Sequence, residues 1–111
     1  MIDPEKAEEH HKVGKELFQK GDFPAAVKEF TEGLKRNPNS TALYSNRSLT
    51  YIKLMEFQYA LKDAEKCLQL DPNFVRAYVR KGTCHHFMKE YHKALDAFDK
   101  GLLIEPGNKE L

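Results

Sequence analysis

Three prolines, Pro38, Pro72 and Pro106, recur at an interval of 34 residues, and the rest of the chain keeps that step. Leu34, Leu68 and Leu102 align, as do Ala26, Ala60 and Ala94, the aromatics Phe23, Phe57 and Tyr91, and the small residues Gly33, Cys67 and Gly101. Self-similarity at a fixed step of about 20–50 residues marks a stacked array, in which one supersecondary unit recurs and no unit buries its apolar face alone. The chain is therefore constrained to three copies of one small unit.

Two segments of each copy have helical spacing. In the first copy Val13, Leu17 and Phe18 form an apolar stripe over residues 5–20, with Asp3 placed as N-cap and Pro4 at the first helical position. Gly21-Asp22 breaks the chain. Pro24 opens a second helix on which Ala26, Val27, Phe30, Gly33 and Leu34 recur at the three- and four-residue steps of one face, and Asn37-Pro38 ends it. The same spacing predicts helices over 41–54 and 58–70, closed by Asp71-Pro72, and over 75–88 and 92–104, closed by Glu105-Pro106. No segment alternates apolar and polar residues over a strand's length. The fold class is all-α: three helix-turn-helix repeats, roughly 7–40, 41–74 and 75–108, in a single domain spanning 1–111.

Stacking of one pair on the next supplies the core and winds the array into a right-handed superhelix with a concave groove. Ala26, Ala60 and Ala94, with Gly14, Ser48 and Gly82 on the first helices of the pairs, leave room for large side chains at short interhelical distance. Gly107-Asn108-Lys109-Glu110-Leu111 follows Pro106, barely one helical turn, so a C-terminal capping helix is expected to be largely missing. An open strip of Ala94, Ala97, Phe98, Gly101 and Leu102 is expected there, with self-association through the uncapped last helix or fraying of the third repeat.

Charge narrows the function classes. Eighteen Lys+Arg against 17 Asp+Glu leave a net charge of +1 over 111 residues, with no bulk excess to draw the chain onto nucleic acid or an anionic membrane. Base-stacking aromatics along a basic face are not evident either, and most aromatics fall on packing positions. Two cysteines, Cys67 and Cys84, cannot build a disulfide framework or a four-thiolate metal site, and no cationic-then-apolar leader opens the chain; a reducing, cytoplasmic location is expected. The adjacent pairs His10-His11 and His85-His86 point about 100° apart on a helix, so neither chelates one ion from one face. No cofactor or metal is expected, and with no phosphate loop and no Ser-His-Asp ordering, no enzyme.

The 34-residue step, the small residue at Gly14, Ser48 and Gly82, the alanine of each second helix and the closing proline resemble the tetratricopeptide repeat over nearly the whole chain. More narrowly, Leu43-Tyr44-Ser45-Asn46-Arg47-Ser48, Ala60-Leu61-Lys62-Asp63-Ala64 and Arg76-Ala77-Tyr78-Val79-Arg80-Lys81 are similar to the carboxylate-clamp class, and within it to the last three-repeat module of the heat-shock organising cochaperones, the stress-inducible proteins. That resemblance implies a non-enzymatic binding module. It would hold the C-terminal peptides of the seventy- and ninety-kilodalton heat-shock chaperones, ending Glu-Glu-Val-Asp, in a groove lined by the first helices of the pairs.

The implied clamp is open to chemical scrutiny residue by residue. Arg76 and Arg80 lie four apart on one helix, share a face, and offer planar bidentate donors to carboxylates. Asn46 holds the repeat position of Arg80 and donates without adding charge. The class carries Lys and, four residues on, Asn in its first repeat, whereas this chain has His11 and Lys15. Phe18 corresponds to a groove position that flanks an apolar side chain of the peptide, and it would equally serve as packing against the second repeat. Lys12, Arg47, Lys53 and Lys81 read as ordinary solvated cations. A scaffolding repeat segment that binds another protein without a clamp is the alternative, and it would need no basic groove.

Overall fold

The computed structural model describes residues 2–108 and 111; Met1, Lys109 and Glu110 of the expected tail lie outside the described residues. Six helices follow one another as α1 (Pro4–Gln19), α2 (Phe23–Arg36), α3 (Thr41–Lys53), α4 (Phe57–Leu70), α5 (Val75–Phe87) and α6 (Tyr91–Ile104). No strand occurs among the described residues. The expected spans hold to within one or two residues at each end.

Local chemistry starts and stops these helices. Asp3 accepts from the Lys6 backbone N–H at 3.2 Å, Asp22 from Ala25 at 3.4 Å and Ser40 from Leu43 at 3.2 Å, each filling an orphan donor of a first turn. The three turns inside the pairs share one geometry at the 34-residue step. Asp22 N–H donates to Leu17 O at 2.9 Å, Glu56 to Tyr51 at 2.9 Å and Glu90 to His85 at 2.8 Å, which is the six-to-one bond of a Schellman motif. The residue before each donor must then turn left-handed: Gly21 has φ 84°, Met55 61° and Lys89 63°. Glycine adopts that conformation freely, whereas the other two carry its steric strain.

Packing explains the small residues. A Cβ on Gly14 would stand 2.5 Å from Phe30 Cε1, and one on Gly82 would stand 2.3 Å from Phe98 Cε1. Ser48 holds the same position in the middle pair, where Ala64 replaces the phenylalanine and the serine hydroxyl donates to Ala60 O at 2.7 Å. Ring size on one helix and residue size on its partner thus compensate each other. The first core joins Ala7, Ala26, Phe30, Leu34 and Leu43, with Leu17, Phe18 and Tyr44 packed on it.

Two expected faces are displaced. Val13 is 41% exposed, because one residue step of about 100° turns it off the face that Gly14 presents to α2. On α6, Ala94, Ala97 and Gly101 are buried and Phe98 packs on Gly82, since the three- and four-residue steps from Ala94 face α5. The outward apolar residues of α6 are instead Leu95, Leu103 and Ile104, and Leu111 closes over Gly101, where a Cβ would meet its Cδ1 at 2.8 Å. Leu111 sits at the repeat position of Leu43, which lies over Gly33 in the same way.

Each helix packs on its successor, and α3 additionally touches both α1 and α5. Among the described residues α2, α4 and α6 make no such mutual contact. The stack, 38 × 25 × 22 Å, is therefore a short superhelix curved with α1, α3 and α5 on its inner side.

Candidate functional site

The inner side carries the candidate clamp. Near its α1–α3 end, Lys15, Phe18, Gln19, Phe30, Asn46 and Leu49 enclose a pocket of about 200 Å³. Three expected residues, Lys15, Phe18 and Asn46, therefore share one cavity. Phe18 also packs edge-to-face on Phe23 with ring centroids 5.2 Å apart, so it serves the core and the pocket wall together. Gln19 and Leu49 were not anticipated. Gln19 lies one turn beyond Lys15 on the same face, and Leu49 holds the repeat position of Lys15, so both follow from the helical step.

His11 stands behind the pocket. Its Nε2 lies 2.7 Å from Asn46 Nδ2, its side chain is 11% exposed, and its Nδ1 faces Glu8 Oε2 at 3.5 Å. His10, the next residue, points instead to Glu29 Oε1 at 2.9 Å. The pair diverges as adjacent helical residues must.

Arg76 and Arg80 do not line the α1–α3 pocket; they stand on α5, which touches α3 on the inner side. Arg76 is exposed, with its guanidinium 5.0 Å over the Phe74 ring, an arrangement that holds the side chain near the N-terminus of α5 without removing its donors from solvent. Arg80 is half-buried and its Nε lies in the interior. The α1–α3 pocket thus brings a cation, Lys15, and an amide, Asn46, to an apolar wall of Phe30 and Leu49, while Arg76 and Arg80 stand on the neighbouring α5.

Arg47 departs from expectation. It is no solvated cation: its Nε and Nη2 donate to Asp63 at 2.8 and 2.7 Å, its Nη1 donates to Thr31 at 3.1 Å, and the side chains of Arg47 and Asp63 are 19% and 6% exposed. The Tyr44 and Tyr51 rings stand 5.7 and 5.8 Å from its guanidinium. Burial pushes the Asp63 carboxyl above its ordinary value, and the two arginine bonds pull it back only in part. The triad ties α2, α3 and α4 together. Its signal in the sequence was an Arg and an Asp 16 residues apart on the two helices of one repeat. At the matching place in the third repeat Lys81 reaches Glu65 at only 3.8 Å.

Both cysteines are interior. Burial raises the Cys67 and Cys84 thiols to about 12, leaving them protonated and unreactive at neutral pH. Among the described residues no group of three or more His, Cys, Asp or Glu side chains is placed to hold a metal ion, and no helix is long and apolar enough to cross a membrane.

Tetratricopeptide repeat patterns match residues 41–74 and 75–108. The stress-induced phosphoprotein 1 of Caenorhabditis elegans is 49% identical over 59 residues, which are 53% of this chain and 18% of that protein. The chain spans less than a fifth of the length of the curated relatives it matches. Among solved structures, the TPR2B domain of yeast Sti1 in its pHsp70 complex superposes with a TM-score of 0.88 at 47% identity, covering 90% of this chain and 80% of that one. The first TPR of Spaghetti (RPAP3), bound to the HSP90 peptide SRMEEVD, superposes with a TM-score of 0.96 at 27% identity over 98% of this chain and 86% of that one.

Proposed function

The chain belongs to the tetratricopeptide repeat family, and from that premise we propose that its inner face holds the free C-terminal carboxylate of an acidic chaperone tail. The supporting observation is the joint placement of Lys15, Asn46 and Phe18 around one pocket, beside a helix that carries Arg76 and Arg80. Cations and an amide donor suit the terminal and side-chain carboxylates of an acidic peptide, and the apolar floor suits an aliphatic side chain next to them. The similar yeast domain forms a pHsp70 complex and the similar Spaghetti domain binds the HSP90 peptide SRMEEVD, which supports the same ligand chemistry here. In this role the chain acts as one domain in the cytoplasm and makes or breaks no bond.

A labelled peptide ending Glu-Glu-Val-Asp, titrated by fluorescence anisotropy, tests the proposal. Each charge-assisted hydrogen bond contributes on the order of 1.5–3 kcal/mol, and a micromolar complex has only about 8 kcal/mol in total. Amidation of the peptide C-terminus, or Arg80→Ala in the protein, should each weaken binding by at least about tenfold while the helical circular dichroism is unchanged. Equal affinity for free-acid and amidated peptides would favour a scaffolding repeat without a clamp.

A further inference from the structure

His11 stands where the clamp class carries a lysine, and it meets two residues of the pocket wall, Asn46 and Phe30. The groups facing it come from each helix packed against it. On its own helix Glu8 Oε2 lies 3.5 Å from Nδ1, and Lys15 stands one turn along. On α2 the Phe30 ring meets it edge-on with centroids 6.1 Å apart, and the carboxylate there, Glu29, is engaged by His10. On α3 stands the uncharged amide of Asn46, at 2.7 Å.

The Glu8 carboxylate facing Nδ1 favours the Nδ1–H tautomer of the neutral ring, and the contact with Asn46 is then satisfied in one of two ways, according to the proton count. A neutral imidazole protonated at Nδ1 accepts at Nε2, so Asn46 must donate an amide N–H to it and turn Oδ1 the other way. A doubly protonated imidazole donates from both nitrogens. Nε2–H then needs an acceptor, and the amide satisfies it by turning over: Oδ1 takes the bond and the NH2 group swings toward the cavity that Asn46 lines. An oxygen facing the cavity repels a carboxylate, whereas two N–H donors attract one, and the new charge on the ring adds to that attraction at short range.

We infer that His11 is a positioning residue whose proton decides which end of the Asn46 amide a bound carboxylate meets, so that tail capture strengthens as the pH falls below neutral. The inference rests on the carboxylate-tail proposal and deepens it: the site is tuned by acidity, unlike one built on a lysine of fixed charge.

The test is a peptide titration at about pH 7.5 and about pH 6.0, above the range in which the peptide's own acids protonate. The probe is the labelled peptide ending Glu-Glu-Val-Asp, and the proteins are the parent, His11→Gln and His11→Lys. The parent should bind about threefold to tenfold more tightly at the lower pH, and neither variant should show that dependence. His11→Lys should bind at both values about as well as the parent does in acid. The four other histidines remain in every variant, so parallel pH profiles across all three proteins would overturn the inference. A second readout needs no peptide. In the free protein the Asn46 side-chain amide resonances should shift with the midpoint of the His11 ring, and an amide that stays fixed while that ring titrates overturns the inference and leaves tail capture standing. A peptide held no better than its amidated counterpart at either pH overturns both.

Discussion

Replacing Asp63 by alanine leaves the Arg47 guanidinium in the interior without its carboxylate. Breaking a buried ion pair by removing one partner costs about 3–5 kcal/mol. The lower end applies here, because Arg47 keeps its 3.1 Å bond to Thr31 and the faces of two tyrosines, and its 19% exposure lets some water in. Asp63→Ala should therefore lower the unfolding free energy by about 3 kcal/mol, a shift of more than about a hundredfold in the folding constant at 1.4 kcal/mol per decade. The pair itself is a different quantity from the damage done by halving it. Burial holds the Asp63 carboxyl above its ordinary value despite the arginine, so the desolvation loss is only offset by the pairing. Arg47→Met combined with Asp63→Leu should accordingly lie within about 1 kcal/mol of the parent. Urea unfolding at neutral pH, followed by circular dichroism with a common m-value, measures both. An Asp63→Ala protein within about 0.5 kcal/mol of the parent, the scatter of ordinary surface substitutions, would refute the account of Arg47 as a buried tie.

Gly82→Ala should cost about 1–3 kcal/mol, because its Cβ would meet Phe98 Cε1 at 2.3 Å. In a Phe98→Ala background the same change should be nearly silent, as in the middle repeat, and a double-mutant cycle with coupling below about 0.5 kcal/mol would contradict the size compensation. Met55→Gly and Lys89→Gly should each be neutral to stabilising by up to about 1 kcal/mol. Relief of about 1–2 kcal/mol of left-handed strain there outweighs about 0.5–1 kcal/mol of added chain entropy, and a drop in melting temperature for both would contradict it.

Repetition made the fold legible. Each helix end was written three times, in a Pro, a cap or a turn, so an error at one copy was corrected by the other two. What stayed hidden was what no repeat position encodes. Val13 lies one step off a glycine whose packing only the neighbouring Phe30 defines, and the open residues of α6 depend on which face α5 takes. Arg47 read as surface because its partners, Thr31 and Asp63, come from two other helices and only packing brings them together. At the candidate site, Lys15, Phe18 and Asn46 were visible from helical step and family pattern. The His11–Asn46 bond was not, since 35 residues separate its ends and a histidine's partner is decided by orientation.

The Arg47 tie grips three helices of the first two repeats, and the Lys81–Glu65 contact beside the third repeat is longer and single. An array of this kind behaves as a short zipper whose teeth open in order of their grip. The third repeat, which carries Arg76 and Arg80, holds no counterpart of that triad among the described residues, whereas Asn46 stands next to Arg47 on α3. A guest that bridges α1 and α5 would fasten the first repeat to the third, across the junctions on both sides of α3. Its grip would be felt as slowed amide exchange along α5 and α6, far from most of the atoms it touches.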